Sequence, residues 1–203
     1  MKILLVKDPI NIVITGVGGQ GNVMASRVLA GMLVEEGFYV TIGETFGMSQ
    51  RGGSVMSHLR VSQKSVWSPQ IPLGQADIIV ALEPSEALHV LSRWGNPEVA
   101  VLSNNRVVYP IGVITGEYDY PSSEKINNIF AKLTAKSWMI DATSIAIDLG
   151  NPVLSNIVMI GALAKTNLLP IDRHAFEGEI NKSVAADKRG VNLAAFDAGA
   201  KMI

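Results

Sequence analysis

The feature that most constrains the fold is a glycine-rich turn between a β-branched run and a long helical pattern. The three segments are NIVITG (11–16), VGGQG (17–21) and NVMASRVLAGMLVEEG (22–37). Gly16, Gly18 and Gly21 match the spacing G-x-G-x-x-G, which permits a tight turn, close approach to a phosphate and close strand–helix packing. Because helix N-termini attract anions, the pattern predicts an anion site here, with Gly19 and Gln20 beside it. The alternative is a turn that serves only packing or the seating of another subunit.

A second glycine-rich loop follows the next strand candidate, FYVTIG (38–43). It offers hydroxyl, amide, guanidinium and backbone donors in one short run, namely Ser49, Gln50, Arg51, Gly52 and Gly53. An arginine in such a loop can hold a phosphate or a carboxylate with two hydrogen bonds. Both loops follow strand ends, so we expect them to line one crevice. The alternative interpretation pairs Arg51 with Glu44 or with a carboxylate of another subunit.

Glu44 ends the second strand candidate and leads directly into this loop. Dinucleotide-binding proteins carry an acidic residue for the ribose roughly 20 residues beyond their glycines, and Glu44 is suitably placed for that role. An ordinary dinucleotide site, however, has no second glycine-rich loop after that residue. Two interpretations therefore stay open, a dinucleotide site that uses Glu44 and a crevice between the two loops.

Strand and helix patterns alternate along most of the chain. Strands are predicted at 11–16, 38–43, 53–62, 76–82, 98–105 and 136–142, and helices at 22–37, 83–94 and 122–135. Residues 104–124 read as a surface excursion, and three or four helices are predicted after Thr143. This alternation predicts a three-layer α/β fold with a mostly parallel sheet, a Rossmann-like βαβ opening and a helical C-terminal part. No linker divides the sequence, so residues 1–203 are expected to form one domain.

Composition excludes several functional classes. The chain has no cysteine, so it forms no disulfide, holds no iron–sulfur cluster through thiolates and uses no cysteine nucleophile. Its 17 basic and 18 acidic residues are scattered, which disfavours nucleic acid as a partner. No apolar run reaches the roughly 18 residues of a membrane span, and the first residues do not match a signal peptide. We therefore expect no association with a membrane.

Other polar residues have structural explanations beside functional ones. The histidines are His58, His89 and His174. Their spacing predicts no metal site, and only His58, near the second loop, is a candidate for acid–base chemistry. Asp141 follows a strand, where ligands of open sheets gather, but it or Thr143 can equally cap a helix. Asn156 and Gly161 lie in an apolar helix and predict a buried hydrogen bond and a close helix contact.

The two loops in combination resemble a known family. GVGGQG (16–21) followed by GETFGMSQRGGSVMSHLRV (43–61) is similar to the gamma domain of the 2-oxoacid:ferredoxin oxidoreductases. Within that family the chain looks most like the small subunit of the indolepyruvate enzymes. The resemblance continues through ALEPSEAL (81–88), residues 141–165 and VNLAAFDAG (191–199), so it covers nearly the whole chain.

This resemblance implies one subunit of an enzyme that converts a 2-oxoacid and coenzyme A to acyl-coenzyme A and carbon dioxide. The 2-oxoacid implied is indolepyruvate or a related aryl oxoacid, and the electrons pass to ferredoxin through thiamine diphosphate and 4Fe–4S clusters. The chain lacks a G-D-G segment with a downstream Asn-Asn for thiamine diphosphate and magnesium. Those cofactors are therefore expected on partner subunits, with this chain holding none and not catalytic alone.

The same resemblance implies that the glycine turn and the second loop contact other subunits and face coenzyme A. It also implies that the protein works in an anaerobic cytoplasm. Surfaces made for other subunits would be exposed in the isolated chain, so we expect it to self-associate as a dimer. Two other functions are compatible with the residues. A free-standing nucleotide-binding dehydrogenase or sensor would use Glu44, whereas a purely structural subunit would use both loops only for docking.

Overall fold

A six-stranded β-sheet organises the computed structural model, which describes residues 5–44 and 53–203. The strands are β1 (Ile10–Val17), β2 (Tyr39–Glu44), β3 (Ser54–Ser62), β4 (Ile78–Ala81), β5 (Ala100–Asn104) and β6 (Lys136–Ile140). They lie in the order β2-β3-β1-β4-β5-β6. In this described part of the chain, β3 is antiparallel to both of its neighbours, and β1, β4, β5 and β6 pair in parallel. The sheet confirms the predicted α/β fold with mostly parallel strands.

Helices cover both faces of the sheet. They are α1 (Asn22–Glu35), α2 (Pro84–Trp94), α3 (Ile111–Ile114), α4 (Ser123–Leu133), α5 (Ala142–Asp148), α6 (Ser155–Lys165), α7 (Arg173–Ser183) and α8 (Ala186–Ala200). Successive strand residues point to opposite faces, so Val13 packs with α2 and α4 while Ile14 packs with α1 and the C-terminal helices. The short α3 belongs to the excursion predicted at the surface, and its Ile111 is indeed exposed.

The position of β3 differs from the prediction. Strand, turn and helix follow one another as expected, but β2 does not return beside β1. Val13 of β1 pairs with His58 of β3, and His58 pairs with Gly43 of β2. β3 contributes the fully buried Leu59 and Val61, whereas β2 is only partly buried along its length. The strand that buries more apolar surface therefore occupies the inner position, and β2 forms the edge of the sheet.

The carboxyl ends of the parallel strands lie together at one end of the sheet, which we call the carboxyl edge. β1 leads into α1 on one face, and β4 leads into α2 on the other. The chain thus diverges to opposite faces after two neighbouring strands. Open α/β sheets bind their ligands in the crevice at such a point.

The C-terminal helices pack through two glycines. A Cβ added at Gly161 of α6 would overlap the backbone carbonyl of Phe196, and one at Gly199 of α8 would overlap that of Val158. Beside this crossing, the ring of Phe196 stacks on Phe176 of α7 at a centroid distance of 4.3 Å. The predicted close helix contact at Gly161 is confirmed.

Gly161→Ala and Gly199→Ala should each lower the free energy of unfolding by about 1–3 kcal/mol, because an added methyl group must push the helices apart. Urea unfolding followed by circular dichroism measures this. Gly190→Ala is the matched control in α8, since nothing lies within 4 Å of its Cβ position. It should raise stability by about 0.5–1 kcal/mol through reduced chain entropy. Equal effects at the three positions would contradict the close crossing.

Candidate functional site

The glycine turn brings the ends of β1 and β4 into close contact. A Cβ at Gly16 would lie 2.6 Å from Gln20 Oε1 and 3.0 Å from Leu82 Cβ, so a side chain here would displace Gln20 and press against Leu82. Gly21, directly before α1, has a φ of 83°, a conformation that side-chain-bearing residues rarely adopt. The turn therefore uses its first glycine for close packing and its last for backbone conformation.

Gln20 ties this turn to the neighbouring strand. Its Oε1 accepts a hydrogen bond from Val17 N at 2.7 Å, and its Nε2 donates to Leu82 O at 3.0 Å. Both polar ends of the side chain are thus bonded to backbone. Gln20 stabilises the crevice, while the donors that a ligand could use lie elsewhere in the turn.

The start of α1 provides those donors. No side chain in the described residues caps this helix, and its first turn contains no acidic residue. The helix dipole adds a partial positive charge at the same end. Gly19 is exposed, and nothing lies within 4 Å of its Cβ position, so the turn is open to solvent beside these amides. The arrangement suits a phosphate or another anion.

The two glycine-rich loops start from adjacent backbone. Gly18 N donates to Gly53 O at 2.9 Å, and Val17 pairs with Ser54 at the beginning of β3. Glu44 and Gly53 therefore bring both ends of the second loop to the carboxyl edge. The predicted residues Ser49, Gln50, Arg51 and Gly52 lie outside the described residues.

Glu44 pairs with an arginine of α1, the helix that follows the glycine turn. Arg27 Nε of α1 lies 3.6 Å from Glu44 Oε1, and the glutamate side chain is only 9% exposed. The carboxylate charge beside the crevice is thus offset by a cation. The ion pair thus reduces the repulsion that Glu44 would exert on an anionic ligand at the turn.

Asn156 of α6 contacts the glycine turn, although it follows Gly21 by 135 residues in the sequence. Its Nδ2 donates to Gly21 O at 3.1 Å, which confirms the predicted buried hydrogen bond. In the part of the chain described by the structure, Asn156 Oδ1 and Asn22 Oδ1 are buried and have no hydrogen-bond partner. Sequence reasoning did not associate Asn156 with the site, because 135 residues separate it from Gly21.

A buried carboxylate that the sequence did not single out lies beside the turn. Glu83 is fully buried, and its Oε2 caps α2 by accepting hydrogen bonds from Ser85 Oγ and Glu86 N. Its Oε1 accepts from Tyr120 OH at 2.5 Å. Burial, and then the contact with Glu83, raises the pKa of Tyr120 above its usual range, so the phenol stays protonated as a donor. An acidic residue before Pro84 signals this cap in the sequence, but Tyr120 gives no comparable signal.

Asp141 is a helix cap. Its Oδ1 accepts a hydrogen bond from Ser144 N at 3.3 Å at the start of α5, while Thr143 Oγ1 accepts from Asn104 Nδ2 at 2.8 Å. Asp141, Thr143 and Ser144 also line an open cavity of about 530 Å³ together with Arg106 and Tyr109. Capping, which was one of the two predicted alternatives, is therefore the role that the contacts of Asp141 support.

His58 lies in the core. It is only 7% exposed, its Nδ1 accepts from Ile71 N at 3.2 Å, and its ring packs edge-on against Trp94 at 5.1 Å. Burial lowers the pKa of His58, so it stays neutral at physiological pH. The ring is remote from the carboxyl edge, because His58 pairs with Val13 in the middle of β1. This environment is structural and does not support acid–base chemistry.

Residues 5–44 and 53–203 contain no cluster of three or more His, Cys, Asp or Glu that could hold a metal ion. None of the helices in these segments is sufficiently long and apolar to cross a bilayer.

Comparison with known sequences gives consistent matches over almost the full length. The family model described as pyruvate ferredoxin/flavodoxin oxidoreductase matches residues 11–202. Indolepyruvate oxidoreductase subunit IorB of Pyrococcus horikoshii is 38% identical over 192 residues, covering 94% of each chain. The subunit of the same name from Thermococcus kodakarensis is 36% identical with the same coverage. The common gamma subunit of the Pyrococcus furiosus pyruvate/ketoisovalerate oxidoreductases is 27% identical over 183 residues, covering 86% of this chain and 90% of that subunit.

Solved structures share the fold at lower identity. Pyruvate oxidoreductase subunit PORC from Thermotoga maritima superposes with a TM-score of 0.69 at 22% identity, covering 97% of both chains. A 2-oxoglutarate:ferredoxin oxidoreductase from Magnetococcus marinus gives a TM-score of 0.72 at 20% identity. The match covers 97% of this chain but 32% of the Magnetococcus chain, whose structure contains 2-oxoglutarate, coenzyme A and succinyl-CoA.

The buried His58 predicts a specific dependence of stability on pH. Because the pKa of His58 is lower in the folded chain than the ordinary value of 6.5, the unfolded chain binds a proton at this residue more readily than the folded chain does. The contribution of neutral His58 to the free energy of unfolding is fully present above about pH 6.5 and should be lost as the pH falls below that value. His58→Gln, which keeps an acceptor for Ile71 N, should flatten the pH dependence in urea unfolding between pH 7 and pH 5. The exposed His174→Gln is the control, and an identical change in both variants would contradict the assignment.

Proposed function

Because the chain belongs to the pyruvate ferredoxin/flavodoxin oxidoreductase family, we propose that it is the cofactor-free subunit of an indolepyruvate:ferredoxin oxidoreductase. The family resemblance inferred from the two loops is thereby confirmed. The observation that carries the substrate assignment is the likeness to the indolepyruvate oxidoreductase subunits, which extends over 94% of the chain at up to 38% identity. The pyruvate/ketoisovalerate gamma subunit is more distant, at 27%. The reaction would convert the aryl 2-oxoacid and coenzyme A to acyl-coenzyme A and carbon dioxide, with two electrons passing to ferredoxin.

The cofactors of this reaction would lie on partner subunits. Thiolate-bound 4Fe–4S clusters need cysteine, and this chain has none. Thiamine diphosphate and its magnesium would also lie on a partner, in keeping with the missing G-D-G segment. Ferredoxin would receive electrons from that partner and not directly from this chain. Such oxygen-sensitive clusters fit an anaerobic cytoplasm, which we propose as the location.

Coenzyme A would face the crevice at the carboxyl edge. Its phosphates suit the uncapped start of α1 beside Gly18, Gly19 and Gly21. The hydrogen bond between Gly18 and Gly53 supports a contribution from the second loop, whose Arg51 would hold a phosphate with two hydrogen bonds. Gly16 and Gln20 would act indirectly, since their contacts hold the turn against β4.

The substrate proposal is tested with the enzyme isolated anaerobically together with its partner subunits. Viologen reduction dependent on coenzyme A is measured with indolepyruvate, phenylpyruvate, pyruvate and 2-oxoglutarate. We expect kcat/KM for indolepyruvate to exceed that for pyruvate by at least about tenfold, a ratio within the range that side-chain recognition provides. Preference for pyruvate or 2-oxoglutarate would reject the substrate while leaving the family assignment intact. Tight dinucleotide binding by a chain that joins no partner would instead support a free-standing sensor or dehydrogenase.

The coenzyme A proposal is tested by placing a charge at the turn. Gly19→Asp and Gly19→Asn impose the same backbone strain at a φ of 102° and differ only in charge. An aspartate should repel the phosphates and raise the KM for coenzyme A by about tenfold relative to asparagine, as expected for like charges a few ångströms apart. The KM for the oxoacid should not change.

Arg51→Ala supplies an independent test of the second loop. It should raise the KM for coenzyme A or weaken subunit assembly, depending on which contact the guanidinium makes. Equal KM values for the two Gly19 variants, together with unchanged assembly and KM in Arg51→Ala, would remove the crevice from the coenzyme A site.

A further inference from the structure

Residues 105–121 form an arm with an unusually apolar surface. Tyr109, Ile111, Ile114 and Tyr118 are 58%, 74%, 72% and 55% exposed, respectively. Solvated chains rarely concentrate large apolar side chains in so short a segment, and such surfaces mark sites that another molecule covers. We refer to residues 105–121 as the docking arm.

Hydrogen bonds near both of its ends hold the docking arm in place. Asn105 N donates to Ile140 O at 2.9 Å, which joins the arm to β6. Val108 N and Tyr120 OH both donate to the buried Glu83 Oε1, at 3.4 and 2.5 Å. The rings of Tyr109 and Tyr120 meet edge to face at 5.5 Å. A buried carboxylate thus orients an exposed apolar surface, and such preorganisation lowers the entropic cost of binding.

The arm stands next to the glycine turn. Glu83, which anchors the arm, directly follows Leu82, whose carbonyl accepts the hydrogen bond from Gln20. The anchor of the arm therefore lies beside the crevice, and a protein that covers the base of the arm contacts the same end of the sheet. An active site completed by two polypeptides requires this proximity.

We propose that the docking arm inserts into an apolar groove of the subunit that carries thiamine diphosphate. This inference rests on the proposed function and assigns the contact with that partner to particular residues. Tyr, Ile and similar large side chains that fill pockets carry most of the energy of protein interfaces. The groove is expected to carry an excess of lysine or arginine at its rim, because the exposed charged residues of the arm are Glu117 and Asp119 against the single cation Arg106.

The same charges disfavour a second copy of this chain as the occupant. A symmetric dimer buries the same patch from both copies, so two arms that each carry two carboxylates against the one guanidinium of Arg106 would bring like net charge together. Like charges at an interface oppose association. A different polypeptide with basic residues at the matching positions has no such conflict.

The experiment compares two aspartate substitutions at equally exposed positions. Ile114→Asp alters the arm, and Val66→Asp alters the loop after β3, where the valine is 70% exposed. Tagged variants of the full chain are titrated against the thiamine diphosphate-bearing subunit isolated from the wild-type enzyme and identified by its thiamine and iron content. We expect Ile114→Asp to weaken binding by at least about tenfold and Val66→Asp to leave it unchanged.

Thermal unfolding of both variants establishes that they fold like the wild type. Full retention of the partner by Ile114→Asp, or equal weakening by Val66→Asp, would overturn the assignment of the arm while leaving the proposed function in place. Loss of self-association in Ile114→Asp with unchanged partner affinity would assign the arm to a second copy and also overturn it. A wild-type chain that binds no thiamine-containing subunit would reject the proposed function and this inference together.

Tyr120→Phe tests Tyr120 as a positioning residue. It removes the hydrogen bond to Glu83 but leaves the exposed side chains of the arm unchanged. We expect weaker partner binding together with faster proteolytic cleavage within residues 105–121 of the isolated chain. Cleavage and affinity equal to wild type would contradict the positioning role.

Discussion

The structure depends on the close packing of neighbouring side chains against Gly16. Side chains of Gln20, Asn22 and Leu82 occupy the space that a Cβ atom at this position would need. Gln20 also bonds to Val17 and Leu82 and joins the turn to the neighbouring strand. α1 packs on one face of the sheet and α2 on the other, so this contact lies at the crevice between them.

Local patterns in the sequence were sufficient to predict the secondary structure. Every β-strand of the described residues overlaps a predicted segment, because runs such as NIVITG and ADIIVAL and the helical periodicity around Phe130 depend only on neighbouring residues. The insertion of β3 between β1 and β2 could not be predicted in this way. It depends on which strand buries more surface once all the layers have assembled, and that is a property of the whole chain.

The features of the site also differ in whether local sequence could predict them. The glycine spacing identified the turn, and the pair of glycine-rich loops identified the family. Tyr120 and Glu83 are 37 residues apart, and no local pattern connects a phenol in a loop with a helix-capping carboxylate. For Asn156, the sequence predicted a hydrogen bond but not its acceptor, the carbonyl of Gly21. Long-range polar contacts of this kind require the fold before they can be assigned.

The contact between Asn156 and Gly21 has a consequence for biosynthesis. Ribosomes add roughly 5–20 residues per second, so synthesis of the intervening 135 residues takes on the order of 10 seconds. Throughout that interval the nascent chain has its glycine turn but lacks the amide that bonds to it. α6, which supplies this amide, also needs α8 against its Gly161. The glycine turn is therefore synthesised well before the helix that completes it, and it reaches its native form only after α6 has folded.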